Sequence, residues 1–262
     1  MTTQSDRTIL ALRSTHDELA TVMSGLSNDE LTGRSGASEW SPAQVLSHLG
    51  SGAEISLATL RSAVAGTPGP GKDFNQEVWD RWNALTPRDQ AAGFLAADED
   101  LITALEAMTA EQSQTLRIKV GFLPTPLTLA AFAGMRLNEA AQHSWDVRVA
   151  LDPGAAISAQ TAALLAEHFA TDLSFLLGFA GKAEALTQPA VVDLQGSAFA
   201  LVIADTVSVT TTAPRPTAAF AGPLEAAVRL LAGRLTTRHT PDDVEVTGNV
   251  TLDDLRRVFP GY

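Results

Sequence analysis

The chain contains no cysteine. Disulfides are therefore impossible, and a secreted fold stapled by them is excluded. The same absence bears on chemistry: a reaction that uses a thiol must take it from a separate molecule. Positive charge is scarce too. Lys and Arg number 18 against 30 Asp and Glu, a formal net charge of −12. No Lys/Arg run of the kind that tracks phosphates is present. A polyanion would meet a repulsive field, which argues against nucleic acid and anionic membrane surfaces as partners. No apolar run reaches membrane-spanning length. The segment MTTQSDRTILALRS mixes acidic and basic residues into its apolar positions and lacks a signal-peptide core. A cytoplasmic location is the expectation.

What remains is an ordinary globular composition, 262 residues with 45% hydrophobic and 18% charged, enough for one large or two ordinary domains. The stretch that organises the rest is AAFAGMRLNEAAQHSWDVRVAL, residues 130–151. It reads as one helix, opened by Thr125-Pro126 and closed by Asp152-Pro153-Gly154. Glu139, His143 and Asp146 lie four and three apart, on one face, with Arg136 a turn earlier.

Upstream, Ile9, Leu12, His16, Leu19 and Met23 recur at helical spacing in a helix over 6–24, where His16 reads first as a hydrogen-bonded core histidine and second as a site residue. Ser27 and Glu30 form a capping box. Ser41 caps the helix that begins at Pro42. Val45, His48, Gly52 and Ile55 share one face of it, and Gly52 leaves open space beside His48. TPGPGKD is a loop. Further helices start near Phe74 and at Pro87, the latter running through Phe94, Leu101 and Leu105 to Met108. TLRIKVGFLPTPL is extended. These readings give a bundle of four long helices. After Gly154 a single helix over 158–179 is expected. Short β-rich runs follow in 189–195, 197–205, 206–213 and 217–222, then a helix over 223–235, a strand at 244–246 and a helix over 252–259. This is an α+β region with its strands grouped, and the boundary falls near 152–157. Neither internal repeats nor low-complexity tracts occur.

A Glu-x-x-x-His pair is common on helices, and HExxH is absent, so the pair alone says little and a zinc-peptidase reading fails. His48, on an inward face of another helix, changes this. Two imidazoles and a carboxylate make a three-ligand site with a free position, the pattern of catalytic zinc. Asp146 can orient a ligand by hydrogen bonding, or form a salt bridge or cap. The four tryptophans, Trp40, Trp79, Trp82 and Trp145, read first as core and second as walls of a pocket.

WSPAQVLSHLG followed far downstream by RLNEAAQHSWDVRVAL resembles the DinB-like metal-binding bundle, and more narrowly the mycothiol-dependent maleylpyruvate isomerase family. FAGPLEAAVRLLAGRLTTRHTPDDVEVTGNVTLDDLRRVF resembles the C-terminal domain of that family. The resemblance implies a DinB-like four-helix bundle over 1–154 and a smaller, sterol-carrier-like α+β domain over 155–262. It implies a divalent metal, zinc foremost, on His48, Glu139 and His143, with Asp146 in the same segment. It matches Arg234 to a substrate-contacting arginine. Gln44 and Asn249 stand where Asp is common in the family. The implied activity is that of an isomerase or S-transferase using mycothiol on a small electrophilic unsaturated carbonyl or acid, in a monomer or homodimer. Two alternatives stay open: a metal-dependent hydrolase working through metal-bound hydroxide, and a binding protein without turnover.

Overall fold

The computed structural model describes residues 2–261. The chain divides into two compact units, Met1–Ala155 and Ala156–Tyr262. In the first, α1 (Gln4–Met23), α3 (Pro42–Ala65), α5 (Pro87–Glu106) and α7 (Leu129–Arg148) are the long helices. Between them lie α2 (Asn28–Thr32), α4 (Lys72–Asn83) and α6 (Ala110–Thr115). Helix α3 packs along α5, and α1 along α7.

The starts of these helices follow from local chemistry. Thr3, Ser27, Ser41 and Thr109 each accept the N–H of the third helical residue, and that residue's side chain returns the bond to the cap. Such boxes satisfy two of the donors a helix start leaves open. Gln44 is the reciprocating residue at Ser41: its Oε1 accepts the Ser41 N–H at 2.9 Å. Helix α7 starts later than Thr125-Pro126 suggested, because Thr128 is the cap; its hydroxyl accepts the Ala131 N–H at 3.1 Å. The segment before it is extended only through one bridge, Ile118 with Leu127.

Two glycines shape the core around Trp82. A Cβ on Gly50 would stand 2.2 Å from the Trp82 ring, and one on Gly93 would stand 3.1 Å away. The indole thus lies in a slot between α3 and α5, and its Nε1 donates to Glu54 at 3.0 Å. Trp82 and Trp145 are core, as the sequence suggested, whereas Trp40 and Trp79 are exposed.

In the second unit the helix expected over 158–179 is two: α8 (Ala159–Phe169) and α9 (Ser174–Ala180), bent by 91°. The break is local. The His168 carbonyl takes the Leu173 N–H at 2.9 Å, a wider turn than a helix makes, and Asp172 accepts from His168 Nδ1 at 2.9 Å. Leu173 stays buried across the bend. No single helix among the described residues is long and apolar enough to cross a membrane.

The sheet has the order β3-β2-β1-β4-β5, built from β1 (Ala190–Leu194), β2 (Ala200–Ile203), β3 (Val207–Thr210), β4 (Ala218–Ala221) and β5 (Glu245–Gly248). Strands β1 and β4 are parallel, and the other neighbours are antiparallel. Alternation buries Ala190, Val192 and Leu194 on one face of β1, and Val207 and Val209 on β3. Helix α10 (Leu224–Leu231) joins β4 to β5 and packs on α8; α11 (Leu252–Val258) follows β5. Gly248 has φ +105°, and a Cβ there would lie 2.4 Å from the Thr217 carbonyl. Next to it, the Asn249 amide donates to the Pro189 carbonyl at 3.0 Å. A carboxylate has no proton to give there, which accounts for Asn rather than Asp.

Gly50→Ala is expected to cost about 1–3 kcal/mol by overpacking against Trp82. Urea unfolding measures it, and a wild-type midpoint in that variant would contradict the slot.

Candidate metal centre

Helix α7 is buried along nearly its whole length. Each polar residue it carries needs a partner. Arg136 is answered by α5: Nη2 donates to Asp98 Oδ1 at 2.6 Å and to the Leu49 carbonyl at 3.0 Å. From α1, His16 donates Nδ1–H to the other oxygen of Asp98 at 3.0 Å. His16 is thus a satisfied core histidine. The space expected beside Gly52 is taken by this arginine, since a Cβ on Gly52 would stand 3.3 Å from Nη1.

One turn beyond Arg136, the structure brings His48, Glu139 and His143 together. One ligand atom from each lies within 4.8 Å of the others. Nε2 of His48 is 3.1 Å from Oε2 of Glu139, and Nε2 of His143 is 3.7 Å from the same oxygen. The two imidazoles meet edge to face with centroids 4.7 Å apart. His48 and Glu139 are about one-third exposed, at 38% and 35%, and His143 at 10% lies deeper. The cluster therefore opens to solvent on one side.

Its protonation suits a cation. Asp146, fully buried, accepts from Nδ1 of His143 at 2.9 Å. A carboxylate can only accept, so Nδ1 donates to Asp146 and Nε2 is the ring atom that faces Glu139. Burial pushes the Glu139 carboxyl up. The His48 hydrogen bond and the charges of His143, His48 and Arg136 outweigh it and bring the carboxyl down to about 2. The group is ionised throughout the neutral range. Two imidazole nitrogens and an ionised carboxylate are a donor set that borderline cations such as zinc accept, with a coordination position left over.

A family model for the mycothiol maleylpyruvate isomerase N-terminal domain matches residues 12–148. The chain belongs to that family. The match spans α3 and α7, which carry all three clustered residues. Two solved structures are similar along the full length of both chains: a mycothiol-dependent maleylpyruvate isomerase and a histidine-to-alanine mutant of it. Each has 16% identity and a TM-score of 0.67. At that identity the likeness is one of fold, a helical region followed by a five-stranded α+β region. No curated protein sequence matches the chain.

The family resemblance also pointed to Arg234. It lies in the second unit, just past α10, where its Nη1 donates to the Ala232 carbonyl at 3.1 Å. Asp98 escaped the sequence reading, although it had left a signal. It falls at helical spacing inside the apolar stripe of Phe94, Leu101 and Leu105, and a carboxylate in such a stripe needs a buried cation.

The buried network beneath the cluster makes stability depend on pH. The Asp98 hydrogen bond raises the His16 pKa above its ordinary 6.5 against the effect of burial. Burial pushes the Asp98 carboxyl up, but Arg136 and His16 more than offset it and hold it below the ordinary 3.8. The His16 contribution is complete below its unfolded pKa and fades as pH rises through the raised folded value. The Asp98 contribution is complete above its unfolded pKa and fades as pH falls through the lowered one. Urea stability is expected to decline above about pH 6.5, and His16→Gln should remove that decline. Equal slopes in both proteins would contradict the assignment.

Proposed function

We propose that His48, Glu139 and His143 hold a divalent cation, zinc foremost, and that the chain uses mycothiol on a small electrophilic unsaturated carbonyl or acid, as an isomerase or S-transferase. The observation that carries the reading is the convergence of three donors from two helices within 4.8 Å, beside solvent, with His143 already oriented by Asp146. Family membership and the full-length likeness to a mycothiol-dependent maleylpyruvate isomerase support it. The absence of cysteine is compatible with it and does not demand it.

When bound, the cation supplies the charge that turns a thiol into a thiolate, the nucleophile for addition to an electron-poor C=C bond. Reversal of such an addition after rotation about the former double bond is cis–trans isomerisation. Protonation of the adduct instead is S-transfer. The chain's own residues serve that chemistry by position. Glu139 stays ionised and contributes negative charge. Asp146 holds the His143 ring by its Nδ1, an interaction that elsewhere governs metal affinity by 10–100-fold. Arg234 is the residue we assign to the acidic group of the substrate, a cation suited to a carboxylate. A cytoplasmic location accords with a cysteine-free chain.

His143→Ala is expected to abolish metal retention by the purified protein, read by elemental analysis. Full zinc stoichiometry in that variant would overturn the ligand assignment. Cobalt-substituted protein should change its visible spectrum when mycothiol is added. A spectrum indifferent to thiol would favour the hydrolase reading, and a folded protein that takes up no metal would favour a binding protein without turnover. With maleylpyruvate as probe, Arg234→Ala should lower kcat/KM by roughly 10–100-fold, the value of one charged hydrogen bond. An unchanged value would remove Arg234 from substrate recognition.

A further inference from the structure

A ligating histidine ordinarily has its second ring nitrogen tied to a carboxylate, a carbonyl or water, which sets the ring's orientation. His143 follows this rule through Asp146. His48 has no protein group in that role: its Nε2 faces Glu139, and among the described residues none hydrogen-bonds its Nδ1. An indole lies beside it, tilted against the imidazole. The Trp40 ring centroid is 5.1 Å from that of His48 at an interplanar angle of 43°. It is 6.0 Å from that of His143, nearly stacked at 28°. Trp40 is 38% exposed, so filling the core does not explain its place.

The loop that carries Trp40 is fastened to the same machinery. The Gly36 N–H donates to the Asp146 carbonyl at 2.7 Å. A Cβ on Gly36 would stand 2.9 Å from the Asp146 Cα and 2.8 Å from Val149, so this approach requires glycine. Within the loop, the Ser35 hydroxyl lies 2.6 Å from the Trp40 carbonyl and accepts the Ala37 N–H at 3.0 Å. The Trp40 N–H closes a turn onto the Ala37 carbonyl at 3.1 Å. Ser41, the next residue, caps the helix that bears His48. One residue, Asp146, thus anchors both the His143 ring and the loop that presents the indole.

We propose that Trp40 is a positioning residue for His48, doing with aromatic ring contact what Asp146 does for His143 with a carboxylate. The inference rests on the metal reading above. An indole packed against an imidazole restricts that ring's rotation through contact worth about 0.5–1.5 kcal/mol. A ligand that must otherwise be ordered on binding binds its cation more weakly. An aliphatic side chain at position 40 fills space but offers no flat surface, whereas phenylalanine does.

The test is cobalt(II) titration of the full chain against a competing chelator, for the parent, Trp40→Phe, Trp40→Leu and His48→Ala. Trp40→Leu is expected to weaken cobalt binding about 3–10-fold, the aromatic contact expressed as a binding ratio. Trp40→Phe should restore most of the affinity. The thermal midpoint of each Trp40 variant without metal should stay near that of the parent, since the side chain is largely outside the core. Parental affinity in Trp40→Leu, alongside loss of binding in His48→Ala, would overturn the role of Trp40 and leave the metal site standing. Parental affinity in His48→Ala would overturn both.

Discussion

A helix buried along nearly its whole length can carry ionisable groups only where other groups answer them, and α7 is such a helix. Arg136 is met by Asp98 from α5 and by a carbonyl of α3. His143 is met by Asp146, three residues along its own helix. Glu139 alone of the three faces outward, toward His48 and solvent. Leaving a buried charge unpaired costs several kcal/mol, so these pairings fix how α1, α3 and α5 lie around α7. The cluster of two imidazoles and a carboxylate is thereby held by the same contacts that hold the bundle.

This coupling of packing to site explains several details at once. Gly52 is small because the Arg136 guanidinium lies against it. Gly36 lacks a Cβ because its backbone closes onto Asp146. Gly50 opens the slot that lets Trp82 lie between α3 and α5, which keeps α3 in place along the stretch that bears His48. The loop before α3 is tied to α7 at Asp146, so the elements contributing donors are joined on both sides of the cluster.

Much of this was legible in the sequence. Cap residues such as Ser27 and Ser41 act through neighbours three positions away, so local pattern suffices to find them. Glu139 and His143 share a face by helical period alone, and their pairing with His48 followed from that residue's inward position. The misses have a different cause. The break between α8 and α9 depends on the His168 and Asp172 contact, and apolar spacing runs across it undisturbed. The Asp98 and Arg136 pair joins residues 38 positions apart; the stripe around Asp98 marks a buried carboxylate but does not say which cation meets it. Trp40 is the furthest from any local rule, since nothing in SEWSP distinguishes a core indole from one laid over two imidazoles.

The central claim is that these donors, oriented before any ligand arrives, close on one cation and leave room for a thiol. X-ray absorption at the metal edge of the cobalt- or zinc-loaded protein tests this most directly, recorded before and after mycothiol is added. The account predicts imidazole scattering from two histidines in both samples, with a sulfur neighbour in the second at a metal–sulfur distance of about 2.3 Å. A bound metal whose spectrum carries no imidazole scattering would contradict it.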